Sequence, residues 1–346
     1  MARQRSNSSR KKGRAWARLL ASLFLVALAV AGGATWLALT PYGPTTETFV
    51  DLNPGSSTIN IGQTLEKAGV IRSQFAFDLI RALRRGNLRA GEYRFDHPET
   101  PVEVYARIAR GDIYTRALTV PEGSNVFDIA ARVEQDGFGS RQDFLDAVVQ
   151  KTSLIADLDP AARSLEGYLF PDTYRFARNV KPEQIVGAMV KRFRVVAAQL
   201  GLKDNFHQVV TIASLVERET AVDSERPLVA SVFDNRLHRN MPLMTDPAVI
   251  YGLELEGIWR GSIFASDLKR DTAYNTYLHA GLPPGPIANP GIPSLRAAMN
   301  PADTNYLYFV AEGANAQGRS SFAETLDEHN REVANYRRAL KKAGGR

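Results

Sequence analysis

The sequence predicts an α+β protein in which a single N-terminal transmembrane helix precedes small α/β modules and a larger mixed α+β domain. Three observations carry this prediction: an uncharged run of 22 residues from Leu19 to Thr40, an internal repeat at an offset of 68 residues, and a change of composition from about Ser164. At 346 residues, of which 44% are hydrophobic and 23% charged, the chain is long enough to bury two or three domains.

The positive charge of the chain is concentrated at its N-terminus. Seven of the 43 basic residues precede Leu19, whereas all 37 acidic residues lie from Glu47 onward, so the remainder carries a formal net charge of −1. Because the globular part is not basic, the sequence predicts no nucleic acid among the partners. The seven basic residues are Arg3, Arg5, Arg10, Lys11, Lys12, Arg14 and Arg18.

The uncharged run at 19–40 is long enough to cross a bilayer core of ~30 Å. The basic tail at 1–18 places that end in the cytoplasm by the positive-inside rule, and everything after residue 40 outside. A cleaved signal peptide is the alternative, but its apolar region usually has only ~7–15 residues. The sequence therefore predicts an uncleaved single-pass anchor, followed by a linker at 41–56. The chain has no cysteine, which excludes disulfides and thiolate sites.

Two segments after the linker, 58–75 and 126–144, resemble each other. Each predicts a helix that ends at a glycine, then a short turn and a second helix. Between them, 90–95 alternates like a strand, and 101–111 predicts a helix opened by Thr100 and Pro101. Small units of this kind suit carbohydrate binding, although a plain α+β adaptor fits the same pattern. The matched pairs are Ile61 with Ile129, Leu65 with Val133, Glu66 with Glu134, Gly69 with Gly137, and Val70 with Phe138.

The larger domain is predicted to begin at residue 161. Periodic apolar residues predict helices at 181–200, 206–222, 225–237 and from about Ala323 onward, and 306–311 predicts a strand. Proline, glycine and asparagine are frequent in the segments between, which therefore predict special turns. Loops of this composition more often build a site than fill a core. These segments are 242–252, 271–291 and 293–301.

The helix predicted at 206–222 carries two glutamates, Glu217 and Glu219, separated by Arg218. At about 100° per residue, Glu217 lies about 60° from the centre of the apolar face and Glu219 about 100° away on the other flank. Glu217 is therefore better placed to reach a cleft beside the core, where burial would help it to hold a proton near neutral pH. An exposed Glu-Arg-Glu cluster fits the helix geometry equally well. The predicted inward face consists of Val209, Ile212, Ala213, Val216 and Thr220.

The other motifs exclude several chemistries. The five histidines show no metal-binding spacing, the G-x-S-x-G motif is absent, and no nucleotide-binding glycine motif occurs, so no metal or other cofactor is predicted. Ser214 is predicted to be a satisfied core hydroxyl. Carboxylates remain, with aromatic and amide side chains of the kind that bind sugars, and these indicate cleavage of a glycosidic bond. A two-carboxylate glycosidase would need a partner for Glu217, and the candidates are Glu166, Asp172, Glu219, Asp246 and Asp271.

Several long motifs occur in an order that resembles one known family. They are EGYLFPDTY at 166–174, ASLVERETAV at 213–222, VFDNRL at 232–237, TDPAVIYG at 245–252, YNTY at 274–277, GLPPGPIANPG at 281–291 and YLYFVA at 306–311. Beyond the anchor, nearly the whole chain is similar to the YceG-like family of endolytic murein transglycosylases, the MltG proteins. The resemblance implies a LysM-like region at 57–160 and a YceG-like catalytic domain at 161–346.

The resemblance further implies a peptidoglycan lytic transglycosylase with Glu217 as its catalytic acid. In this reaction the acid protonates the glycosidic oxygen between N-acetylmuramic acid and N-acetylglucosamine. The same residue then takes the proton of the muramic C6 hydroxyl as that oxygen attacks C1, which leaves a 1,6-anhydro end and consumes no water. The resemblance also implies a catalytic domain on the periplasmic side of the cytoplasmic (inner) membrane, glycan strands as substrate, and peptidoglycan synthases as candidate partners.

Six further residues are predicted to line the cleft, although turn capping, packing or a surface salt bridge would also explain them. Glu219 is expected to be restrained by Arg218 or Arg226. The chain departs from the family at Ser320, where many members carry a histidine, whereas His329 matches the family pattern and could instead cap or pack. The six residues are Glu219, Asp246, Tyr251, Tyr274, Asn275 and Asn289.

Two other functions remain open on the sequence. A muramidase would use the same cleft with water in place of the C6 hydroxyl and with a second carboxylate. A non-catalytic, membrane-anchored scaffold would hold peptidoglycan through its LysM-like units. The mass of the product distinguishes a muramidase from a transglycosylase. Substitution of Glu217 distinguishes a non-catalytic scaffold from an enzyme that uses this residue.

Overall fold

The N-terminal apolar segment forms one long helix, α1 (Ser6–Leu39), in a computed structural model that describes residues 6–313 and 318–344. Within α1, the 24 residues Trp16–Leu39 are long and apolar enough to cross a membrane. Arg3 and Arg5 of the predicted basic tail lie outside the described residues, as do the last two residues of the chain. The predicted helix is confirmed, and its orientation stays a prediction.

The chain divides into two units, Met1–Thr115 and Arg116–Arg346. In the first unit a two-stranded antiparallel sheet and three helices enclose a core that contains the fully buried Leu65, Phe77 and Tyr93. Thr100 accepts a hydrogen bond from the backbone N–H of Glu103, whose carboxylate accepts one from the N–H of Thr100, so the last helix begins where predicted. The elements are β1 (Thr48–Leu52), α2 (Thr58–Lys67), α3 (Gln74–Arg84), β2 (Gly91–Phe95) and α4 (Pro101–Arg110).

The internal repeat of the sequence appears as two copies of a helix, glycine and helix arrangement. In the first copy α2 leads to Gly69 and then α3; in the second, α5 (Val126–Gln135) leads to Gly137 and then α6 (Arg141–Gln150). Gly69 and Gly137 have φ angles of +71° and +69°, in the left-handed region that favours glycine. The helices predicted from the repeat are therefore confirmed, and the second copy belongs to the second unit.

The second unit is a mixed α+β structure, in which short antiparallel strand pairs accompany a group of helices. Before α5, the strand β3 (Arg116–Thr119) pairs with β4 (Thr173–Phe176), which follows α6 in the chain. The pair β5 (Tyr308–Ala311) and β6 (Ser320–Ala323) lies near the C-terminus. The remaining helices are α7 (Pro182–Leu200), α8 (Phe206–Glu219), α9 (Arg226–His238), α10 (Asp246–Leu255), α11 (Ile292–Met299) and α12 (Leu326–Gly344).

Two of these helices, α10 and α11, occupy segments for which turns were predicted, so that prediction was wrong there. Pro247 and Pro293 lie in the first turns of these helices, where a missing N–H breaks no helical hydrogen bond. The helix α8 was also predicted too long. It ends at Glu219 because Thr220 adopts extended backbone angles, with φ −138° and ψ 135°.

The helix α8 is buried on all sides rather than along a single face. Every residue from Val210 to Val216 is buried, because α9, α10 and α11 all pack against this helix. Ser214 is fully buried, and its hydroxyl donates to Thr211 O at 2.7 Å and accepts from Ile287 N at 3.0 Å, which confirms the predicted core role. The last turn of α8 carries Glu217 and Glu219 beyond this buried stretch.

Candidate functional site

Glu217 lies in the last turn of α8, with only 6% of its side chain exposed. Its Oε2 atom accepts a hydrogen bond from the backbone N–H of Gly291 at 3.0 Å, and Arg226 Nη1 lies 3.0 Å from the same oxygen. Gly291 caps the N-terminus of α11, where backbone N–H groups and the helix dipole favour a negative charge. The carboxyl group of Glu217 is therefore held by two donors that come from separate segments of the chain.

Arg226, at the start of α9, connects this carboxyl group to its surroundings. Its side chain is as deeply buried as that of Glu217, with 6% exposed. The guanidinium also donates to the hydroxyl of Ser294, and from Nε to Asp223 Oδ1 at 3.0 Å. Ser294 lies in α11 and Asp223 lies before α9. The Arg226 guanidinium therefore links the Glu217 carboxyl group to both of these segments.

A second carboxyl group, that of Glu122, approaches the same glycine. Glu122 precedes Gly123 in the turn that leads from β3 to α5, and its carboxyl atoms occupy the space in which a Cβ atom on Gly291 would lie. Burial raises the pKa of Glu122, the negative charge of Glu217 raises it further, and Arg226 opposes both. Sequence reasoning missed Glu122 as a site residue. The LTVPEG segment at 118–123 offers a signal, since it resembles a strand that runs into a turn and so indicates a loop that could carry a site residue.

The turn that carries Glu122 is tied to α8 and to the segment before α11. Arg218 Nη1 donates to Gly123 O at 3.1 Å, and Gly123 N donates to Asn289 O at 3.0 Å. Asn289 N in turn donates to Ser124 O at 2.9 Å. These bonds fix the backbone that follows Glu122 relative to α8 and to the segment before α11.

Glu219 and Asp246 both line a cavity with a volume of about 400 Å³. Tyr277 donates from its hydroxyl to Asp246 Oδ1 at 2.6 Å. Burial raises the pKa of Glu219, while a hydrogen bond from the Thr245 side chain and the charge of Arg236 oppose the rise. The expectation that Arg218 or Arg226 restrains Glu219 was wrong, because Arg218 binds Gly123 O and Arg226 binds Glu217.

Asn289 belongs to a buried hydrogen-bond network centred on Glu166. The Glu166 side chain accepts from Val126 N at 2.9 Å and from Asn289 Nδ2 at 2.8 Å. Asn289 Oδ1 accepts from Leu169 N at 2.8 Å, and its side chain is completely buried. Burial raises the pKa of Glu166 to about 8. This network supports the turn after β3, and substrate contact by Asn289 stays a prediction.

Tyr251, Tyr274 and Asn275 lie in or beside α10. The rings of Tyr251 and Tyr274 meet edge to face, with their centres 5.0 Å apart, and Tyr251 is hydrogen-bonded to Glu166. Asn275 is completely buried, and its Nδ2 donates to Leu268 O at 3.1 Å and Arg270 O at 2.7 Å. Asn275 therefore stabilises the loop at 268–270. Tyr251 contacts Glu166, and Tyr274 packs against Tyr251.

Two of the carboxylates considered as partners for Glu217 are occupied elsewhere. Arg192 Nε lies 2.7 Å from Asp172 Oδ2, and His279 Nε2 lies 2.8 Å from Asp271 Oδ1. The partners of the other three candidates, Glu166, Glu219 and Asp246, are given above. All five candidate carboxylates therefore contact groups other than Glu217. Glu122 is the carboxyl group that the structure brings to this place instead.

The two positions compared with the family histidine pattern lie near the C-terminus. Ser320 is the first residue of β6, and its backbone N–H donates to Glu225 Oε1 at 2.8 Å. The ring of His329 stacks on Tyr308 with 5.2 Å between the ring centres, and burial lowers its pKa. His329 therefore packs, and it lies on the cavity of Glu219.

Residues 50–335 match the model of the YceG-like family. The chain is 33% identical over 321 residues to a Bacillus subtilis protein named endolytic murein transglycosylase, an alignment that covers 86% of this chain and 88% of the relative. It is 30% identical over 320 residues to a Streptococcus pneumoniae protein of the same name, covering 83% of this chain. The chain spans 58% of the length of that relative.

A crystal structure is also similar, that of a yceG-like protein from Listeria monocytogenes. The TM-score is 0.54 and the sequence identity is 31%, and the match covers 83% of this chain and 99% of that chain. At this identity the likeness extends to sequence as well as to fold.

Proposed function

Because the chain belongs to the YceG-like family, we propose that it is an endolytic peptidoglycan lytic transglycosylase in which Glu217 is the catalytic acid. The observation that carries the proposal is the buried carboxyl group of Glu217, held by Gly291 N–H and Arg226. A group that must be an acid and then a base needs a neighbourhood that accepts both of its forms.

The reaction proceeds in two proton transfers at one residue. The Glu217 carboxyl group protonates the glycosidic oxygen, and the bond from the muramic C1 atom to that oxygen breaks. The muramic C6 oxygen then bonds to C1 while its proton passes to the Glu217 carboxylate. Between the two steps Gly291 N–H and Arg226 stabilise the carboxylate, which would otherwise be a buried charge without a partner.

Digestion of uncrosslinked glycan strands by the full-length protein in detergent tests this function. We expect products that end in an anhydro sugar, each lighter by one water than the corresponding reducing sugar. Reducing ends would instead identify a muramidase, which uses water and a second carboxyl group. No cleavage by wild-type protein would favour the non-catalytic scaffold.

We also propose that α1 is an uncleaved anchor with the N-terminus in the cytoplasm and the second unit outside. The support is the basic tail that precedes the apolar span. Since the chain has no cysteine, single cysteines introduced at Ser8 and Thr46 report the orientation in intact cells. A membrane-impermeant maleimide should label only the second position, and labelling of the first alone would reverse the proposed orientation.

The region 57–160 is proposed to be LysM-like and to hold peptidoglycan, leaving 161–346 as the catalytic domain. Its support is the pair of repeated helix, glycine and helix arrangements. Binding of the full-length protein to insoluble peptidoglycan should weaken when exposed residues of this region are substituted. Peptidoglycan synthases remain proposed partners, and crosslinking in intact membranes followed by mass spectrometry would identify them.

A further inference from the structure

We propose that Glu122 acts through Glu217, as a positioning residue with which Glu217 shares one proton at the active site. The inference rests on the proposed role of Glu217 and extends it to a second carboxyl group. It also names a source of the proton for a carboxyl group that two donors bind.

The first support is geometric, because both carboxyl groups converge on Gly291. The N–H of Gly291 donates to Glu217, and the side of its α-carbon where a Cβ would lie is filled by the carboxyl atoms of Glu122. The neighbouring Gly123 faces Glu217 as well, since a Cβ there would lie 3.5 Å from Glu217 Cγ. Two glycines without side chains thus make room for two acids.

The second support is the restrained backbone that follows Glu122. Hydrogen bonds from Arg218 to Gly123 O, and between the backbones of Gly123, Ser124 and Asn289, hold the turn in place. A side chain that begins at such a restrained backbone loses less conformational entropy on adopting one position than it would on a free loop.

The third support is the balance of charge around Arg226. Three carboxyl groups, those of Glu122, Glu217 and Asp223, face this single guanidinium. If all three were ionised, the cluster would carry two excess negative charges in a partly buried place, which one bound proton relieves. The Asp223 side chain is 75% exposed and therefore well solvated. Glu122 is also an exposed residue, but its carboxyl atoms lie against Gly291, beside the Glu217 side chain, which is only 6% exposed, so the proton belongs to the pair formed by Glu122 and Glu217. Accordingly, the pKa of Glu122 is raised by burial and by the charge of Glu217.

The shared proton closes the cycle without another reactant. Before the reaction the pair holds one proton, on Glu122 while Glu217 accepts from Gly291 and Arg226. The proton passes to Glu217 and then to the leaving glycosidic oxygen, as the bond to C1 breaks. The proton of the muramic C6 hydroxyl returns to Glu217 as the new bond to C1 forms, so the pair again holds one proton.

The test compares Glu122→Gln with wild type in the full-length protein, measuring kcat and KM for anhydro products across pH. Glutamine keeps the size of the side chain but cannot ionise. We expect kcat to fall about 10- to 100-fold, with KM nearly unchanged, as for loss of a group that assists proton transfer. The alkaline limb of the kcat profile should move to lower pH, because the second negative charge no longer helps to retain the proton.

Three variants control this result. Asp146→Asn removes the same charge from an exposed side chain on α6 that contacts Gln142, and it should keep the wild-type profile. Glu122→Asp keeps an ionisable group and should recover part of the lost kcat and the wild-type shape of the profile. Glu217→Gln should be inactive, and an active Glu217→Gln would remove the proposed function itself.

The inference fails alone if Glu217→Gln is inactive while Glu122→Gln keeps the kcat and pH profile of wild type. An infrared comparison of wild type and Glu122→Asp, made at about pH 6, gives a readout that does not depend on turnover or on the folding of the glutamine variant. We expect a protonated carboxyl band whose position differs between the two proteins. Identical spectra would overturn the assignment of the proton to this pair.

Discussion

Glu217 and Glu219 lie two residues apart in the last turn of one helix, yet their carboxyl groups enter different surroundings. Glu217 meets a backbone N–H and a guanidinium, with Glu122 beside it. Glu219 enters a cavity with Asp246, Arg236 and Tyr277, where burial raises its pKa. Burial alone therefore does not distinguish the two glutamates. The donors and the neighbouring acid do, and they come from segments distant in the chain.

The largest expected effect separates the two glutamates directly. Glu217→Gln should lower the rate of anhydro-product formation about 10²- to 10⁴-fold, because the variant can neither give nor take the proton. Glu219→Gln should lower it less than about tenfold, since its cavity is separate from the Glu217 contacts. Equal losses in both variants, measured by mass spectrometry of glycan products, would remove the distinction.

The next effect concerns Arg226, a cation that contacts Glu217. Arg226→Ala should lower the free energy of unfolding by about 3 kcal/mol, because it leaves a buried carboxylate and the Ser294 hydroxyl without their partner. Arg218→Ala is the matched control. It removes a hydrogen bond to the Gly123 carbonyl from an exposed residue, which costs about 1 kcal/mol or less. Chemical denaturation of the two variants measures the difference, and equal losses would contradict the importance of the buried pair.

A smaller effect tests the space at Gly291. Gly291→Ala should displace the Glu122 carboxyl group, because the added Cβ would overlap it, while the backbone φ of −79° permits alanine. We expect kcat to fall about 10- to 100-fold through misplacement of the acid pair. Gly187→Ala, inside α7 with no atom within 4 Å of the added Cβ, should leave activity unchanged and stabilise the protein by about 0.5–1 kcal/mol. Unchanged kinetics in Gly291→Ala would show that Glu122 is dispensable.

The smallest effect is the contribution of Glu219 to the pH dependence of the free energy of unfolding. Its pKa in the folded protein is raised above the ordinary value of 4.5, so the folded state binds a proton more tightly than the unfolded state. Stability from this group is therefore complete below pH 4.5 and is lost as pH rises through the raised pKa. Denaturation curves across pH should show a weaker decline in Glu219→Gln than in wild type. Parallel curves would show that Glu219 titrates alike in both states.

Local patterns predicted the elements whose residues signal their own conformation. Thr100 and Pro101 begin α4, and Gly69 and Gly137 end helices, because each acts through neighbours within one turn. The same logic failed at α10 and α11. There, proline and glycine suggested turns, whereas burial of Ala248, Tyr251 and Leu295 in the core makes helices. Tertiary packing overrode a local signal at these two places.

By itself, the sequence determined the apolar span and the repeated helix pairs, and it predicted Glu217 rather than Glu219 as the acid. Each of these depends on charge or periodicity within one segment, which the order of residues specifies directly. Only the tertiary structure decided what surrounds Glu217. It joined α8 to the turn that carries Glu122 through the hydrogen bond from Arg218 to Gly123, two residues that are 95 positions apart in the chain. It also joined α8 to the start of α11 through the hydrogen bond from Gly291 to Glu217. Such contacts depend on how distant segments pack, and no local pattern of residues encodes that.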